Sequence, residues 1–109
     1  MRLRVDLAYD GSGFSGWAKQ PRLPSVQQTL ETALSKALRL DVSEVKTVVA
    51  GRTDSGVHAR GQVCHLDLPS DHPLVATPQR VDGELLKRLR GALEKTSSIW
   101  VNRVSIAPE

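Results

Sequence analysis

The order of hydrophobic periodicities along this chain predicts an α+β fold, an antiparallel sheet with two helices on one face. Three observations carry that expectation. Leu3, Val5, Leu7 and Tyr9 alternate with Arg4, Asp6, Ala8 and Asp10, the period of two that marks a half-buried strand. Val26, Leu30, Ala33, Leu34, Ala37 and Leu38 recur at helical spacing. Two further strand patterns, a second helix and a closing strand follow, so the chain reads β-α-β-β-α-β.

Each element has its own local reason. The first strand gives way at Gly11-Ser12-Gly13-Phe14-Ser15-Gly16-Trp17, a turn-rich loop that Pro21 and Pro24 prolong. Ser25 then offers an N-cap, and Gln28 three residues later completes a capping box, so the first helix is expected from 26 to about 40. The valine-rich residues 45–50 read as a second strand. Residues 62–68 read as a third, with Cys64, Leu66 and Leu68 on one face and Val63, His65 and Asp67 on the other. Pro69, Pro73 and Pro78 predict a surface loop, after which Asp82 is the next N-cap. Leu85, Leu86, Leu89 and Leu93 form an apolar stripe against Lys87, Arg88, Arg90 and Lys95. Gly91 weakens that helix by about 1 kcal/mol relative to Ala. Residues 99–106 supply the closing strand. This is the split βαβ order of the ferredoxin-like fold, in which the first and third strands are central.

Composition narrows the class without choosing a function. With 109 residues, the chain is expected to be one domain with a single modest core. No apolar run approaches the roughly 20 residues of a membrane helix, and the N-terminus goes straight into a strand pattern with no signal-peptide character. Cys64 is the only cysteine, which excludes an intrachain disulfide and fits a reducing compartment; the cytoplasm is the expected location. The net charge of +3 permits contact with a phosphate backbone without demanding it. Only Ala107-Pro108-Glu109 follows the last strand, so the chain is expected to be one half of something larger.

Several motifs invite chemistry and fail on context. The Gly-rich loop from Gly11 to Gly16 matches the dinucleotide fingerprint G-x-G-x-x-G, but the helix starts far too late to meet a pyrophosphate. Glu31, at the distance of the ribose-binding acid, lies inside the helix. His58, Cys64, His65 and His72 lack the paired spacing of a zinc site, and the strand pattern turns Cys64 and His65 to opposite faces. Gly13-Phe14-Ser15-Gly16 is no nucleophile elbow, which weakens a hydrolase built on Asp54 and His58.

The run Ala50-Gly51-Arg52-Thr53-Asp54-Ser55-Gly56-Val57-His58-Ala59 is different. It packs two glycines, an arginine, a carboxylate, two hydroxyls and an imidazole into a strand connection, where a reactive side chain is both exposed and held. Arg52 beside Asp54 keeps the carboxylate ionised, which suits a nucleophile, a base or merely a structural ion pair. The residue types alone leave all three open.

Taken together, Tyr9-Asp10-Gly11, Phe14-Ser15-Gly16-Trp17, Gln20, Ser25-Val26-Gln27, Leu30-Glu31, the decamer and Gly61-Gln62-Val63 resemble the tRNA pseudouridine synthase A family. The resemblance runs from the first strand to about residue 68. It implies a cofactor-free isomerase acting on uridines at positions 38, 39 and 40 of the tRNA anticodon stem-loop, with full-length members forming dimers. It makes Asp54 the nucleophile and Arg52 its catalytic partner, which also holds the flipped nucleotide. It gives Tyr9, Asp10, Phe14, Thr53 and His58 to RNA binding. Ala18 and Ser55 depart from the residues most usual at their positions. The second half of the family's catalytic core supplies a tyrosine against the target uracil, and Tyr9, the only tyrosine here, does not match it. The implied chain is therefore an N-terminal half that is inactive alone. A non-catalytic RNA-binding module of the same fold is the alternative, although its strands offer only Tyr9 and Trp100 as stacking aromatics.

Overall fold

The computed structural model describes residues 1–10, 25–49, 59–94 and 98–108, with backbone alone for 59 and 60. Within them the chain forms β1 (Arg2–Tyr9), α1 (Val26–Leu38), β2 (Val48–Val49), β3 (Ala59–Asp67), α2 (Pro73–Ala76), α3 (Leu86–Ala92) and β4 (Ile99–Ala107). The strands make one antiparallel sheet in the order β2-β3-β1-β4. This is the expected α+β arrangement, with the first and third strands central.

Period-two burial builds the sheet. Leu3, Val5 and Leu7 are fully buried, while Arg4 between them is exposed. Across the ladder Leu3 faces Leu66 and Val5 faces Cys64, so β3 presents its apolar face to the same side. Leu30 and Leu34 of α1 and Leu89 of α3 close over that side. The other face is polar: Arg2 of β1 meets Asp67 of β3 at 2.9 Å, and Arg4 meets Asp6 at 2.9 Å. The Arg2 guanidinium holds the Asp67 carboxyl below the usual carboxylate range.

β4 needs one irregularity to match β1. Val101 lies opposite Leu7 and Val104 opposite Val5, yet the two valines are three positions apart in sequence. A regular strand would put them on opposite faces. The register shifts between Asp6 and Leu7, leaving Asn102 as an extra residue, and both valines are buried. Arg90 of α3 holds this bulge, donating Nε–H to the Val101 carbonyl at 2.9 Å and an Nη2 hydrogen to that of Asn102 at 3.5 Å.

Both helices differ in detail from expectation. Ser25 caps α1 as expected, its Oγ accepting the Gln28 N–H at 3.1 Å. The helix ends at Leu38, because Arg39 takes the left-handed conformation at φ 57° and turns the chain away. Asp82 is not an N-cap. A π-helical turn already spans Val81–Leu85 and continues into α3, which adds buried Val81 to the stripe of Leu85, Leu89 and Leu93. The proline-rich stretch before it is not simply loop. His72 caps the short α2, its Nδ1 accepting the Leu74 N–H at 3.1 Å, and its Nε2–H donates to the Leu38 carbonyl at 2.8 Å. Pro73 sits in the first turn, where its missing N–H costs nothing.

An arginine at φ 57° carries a steric cost that glycine lacks. Arg39→Gly is expected to stabilise the fold by about 0.5–1 kcal/mol. A rise in the urea midpoint at unchanged m-value checks it.

Candidate functional site

β1 ends, and β3 and β4 begin, at one end of the sheet. Tyr9 is paired with Ala59 on one side and Ile99 on the other. Just past it, the Asp10 N–H donates to the Ser98 carbonyl at 2.8 Å, joining the chain that leaves β1 to the chain that enters β4. The chain also leaves β2 at Val49 and returns to the sheet at Ala59. The decamer built around Asp54 therefore joins the edge strand to a central strand.

Of the residues expected to act, Tyr9 and Asp10 are described. Tyr9 is 4% exposed and belongs to the core cluster, so its ring supports the end of the sheet from beneath; Asp10 is exposed. Phe14, Arg52, Thr53, Asp54 and His58 lie outside the described residues. What is visible is the frame on which they are carried.

The frame contains a feature that sequence reading passed over. Glu31, on the second turn of α1, is 1% exposed. Its Oε2 accepts the Thr47 N–H at 2.9 Å, the Thr47 hydroxyl at 2.7 Å and the Gln27 side-chain amide at 3.2 Å. Gln27 also donates to the Thr47 carbonyl at 3.2 Å. Thr47 is three residues ahead of the decamer, so two turns of helix grip the strand that leads into it. Of the expected residues 45–50, Val48–Val49 pair as β2 and Ala50 lies outside the described residues; before them the Thr47 N–H is taken by a carboxylate instead of a ladder partner. A signal did exist in the sequence. Glu31 falls between Leu30 and Leu34 on the apolar face of the helix, where an ionisable residue requires partners.

Cys64 and His65 take opposite faces, Cys64 being buried and His65 half-buried. Burial pushes the Cys64 thiol up to about 12, and the nearby Glu31 and Asp6 carboxylates push the same way. Among the described residues no helix is long and apolar enough to cross a membrane.

Fold and connection together define a ferredoxin-like α+β domain that carries a polar, aspartate-bearing segment at one end of its sheet. Known proteins of one name are similar to the chain. The chain is 48% identical over 108 residues to "tRNA pseudouridine synthase A" of Frankia casuarinae, covering 99% of this chain and 34% of that protein. It is 49% identical over 117 residues to the protein of that name from Bifidobacterium longum, covering 98% and 37%. With the one from Streptomyces avermitilis it shares 50% identity over 101 residues, covering 92% and 34%. No family model matches the chain. Over nearly its whole length, then, it is homologous to the tRNA pseudouridine synthase A family, and it spans about a third of the length of the curated relatives it matches.

Two outcomes follow from the frame. Glu31→Ala leaves the Thr47 N–H and hydroxyl buried without their acceptor, and is expected to cost about 2–3 kcal/mol in chemical denaturation. Cys64 is expected to resist iodoacetamide in the native protein at pH 8, where burial keeps the thiol protonated and out of reach, and to react once urea unfolds the chain. Mass spectrometry of the two samples checks the contrast.

Proposed function

We propose that this chain is the nucleophile-bearing, N-terminal portion of a tRNA pseudouridine synthase that isomerises uridine at positions 38–40 of the anticodon stem-loop. The observation that carries the reading is the identity of about one half, over nearly all of the chain, with proteins of that name. The run Gly51-Arg52-Thr53-Asp54-Ser55-Gly56-Val57-His58-Ala59 falls between β2 and β3 of a sheet built to hold it, which supports the same reading.

Substrate and product are isomers, so the reaction has no net redox change, and the family resemblance implies that it runs without a cofactor. The Asp54 carboxylate attacks the target nucleotide and the bond from N1 of the base to the ribose C1′ breaks. The detached uracil turns, and C5 bonds to C1′ in place of N1. C5 then loses its proton, N1 gains one, and Asp54 is released. Arg52 keeps Asp54 ionised and fills the space that the extruded base leaves, offsetting part of the cost of unstacking. Phe14, Thr53, His58 and Asp10 contact the RNA around the flipped nucleotide, and Tyr9 supports them. Residues beyond this chain complete the site, the full-length protein acts as a dimer in the cytoplasm, and the chain alone is inactive.

The test joins this chain to the remaining two-thirds of the Frankia casuarinae relative and supplies an anticodon stem-loop tritiated at uridine C5. Tritium release is expected from the joined protein and not from the 109-residue chain. Asp54→Ala is expected to reduce release to the uncatalysed background while RNA binding is retained. Equal release by Asp54→Ala and wild type would sink the nucleophile assignment. Binding without release by the joined wild type would favour the non-catalytic RNA-binding module.

A further inference from the structure

Trp100 is 58% exposed, although its neighbours Ile99 and Val101 are buried. It lies opposite Ala8, next to the Tyr9–Ile99 pair that ends the sheet, so only about one residue's rise of roughly 3.3 Å separates it from the site end. The Arg90 guanidinium carbon stands 4.7 Å from the centre of its ring. Arg90 is itself fixed by its bonds to the Val101 and Asn102 carbonyls, so the cation–π pair is held in place. Beside the pair runs a groove of about 600 Å³ that Leu93 and Ile99 line, with Lys87 and Arg90 as cations and Glu94 as a carboxylate.

Edge protection does not account for this arrangement. Arg90 already occupies the carbonyls of the bulge, and an exposed tryptophan on an edge strand is otherwise a liability. A flat π-face backed by a guanidinium, next to a second cation, matches a base and its phosphate. We propose that Trp100 and Arg90 form a stacking subsite for an unpaired nucleotide neighbouring the reacting uridine, with Lys87 meeting its phosphate. This rests on the RNA-modifying reading above. Among the described lining residues, two cations against one carboxylate favour a polyanion over a neutral protein surface, and stacking tolerates any base, so the subsite adds affinity and not sequence choice.

The test uses the joined protein and a fluorescein-labelled anticodon stem-loop. Trp100→Ala is expected to raise both Kd and KM about tenfold while kcat stays within twofold, the signature of lost uniform binding. Trp100→Phe is expected to recover most of the affinity, which a loss of folding would not allow. Lys87→Gln is expected to flatten the slope of log K against log salt by about 0.7. Trp100→Ala with Kd within twofold of wild type overturns the subsite. So does a Trp100→Ala protein whose oligomeric state changes at unchanged RNA affinity, which makes the patch a protein contact. A wild-type protein that binds no RNA overturns the RNA reading itself, an outcome distinct from either.

Discussion

One-sided burial along β1 is the constraint on which the rest of this structure depends. β1 is paired on both edges and its Leu3, Val5 and Leu7 are wholly buried, so a slip of one residue would turn the core outward. The neighbours conform to it. β3 meets it in regular register along residues 62–67, and β4 meets it only by inserting Asn102. That bulge creates a demand of its own, because it disturbs the ladder at an edge strand. Arg90 meets the demand by donating to the carbonyls on either side of the irregularity.

The second organising contact is polar. A carboxylate buried as deeply as Glu31 costs several kcal/mol unless it is hydrogen-bonded, and here a backbone N–H, a hydroxyl and an amide all donate to its Oε2. The consequence is geometric. Thr47 is tied to α1 and not to the sheet, so the strand leading towards Asp54 is located by the helix. A hydrophobic residue at 31 would add core without specifying where Thr47 sits. The local placement of the decamer's entrance thus rests on one side chain, whereas its exit at Ala59 rests on the ladder with Tyr9.

The residues on either side of the connection are thus fixed by different elements, a helix before it and a central strand after it. The Asp10–Ser98 bond ties the remaining two chain segments together at the same end. Trp100 of the edge strand lies near that end, with Arg90 of α3 over its ring.

Much of this was legible in the sequence, and the reason is local. Alternation in β1 and β3, helical spacing in α1 and the Ser25 cap depend on residues near one another, so the element order and the α+β class could be read directly. The Gly51–Ala59 run, read with the motifs around it, likewise carried the family without any fold. What could not be read depends on partners far apart in the chain. That β2 begins only at Val48 goes with a contact between residues 31 and 47. The bulge in β4 was hinted at by the broken phase between Val101 and Val104, but only pairing with β1 requires it. Asp82 looked like a cap because the sequence does not reveal that Val81 is drawn into the core and starts the helix earlier. The sequence by itself determined the order of the elements and singled out Asp54 and its neighbours as candidates. Only the tertiary structure decided how those elements are anchored, because the Glu31–Thr47 and Arg90–β4 contacts exist only once distant segments meet.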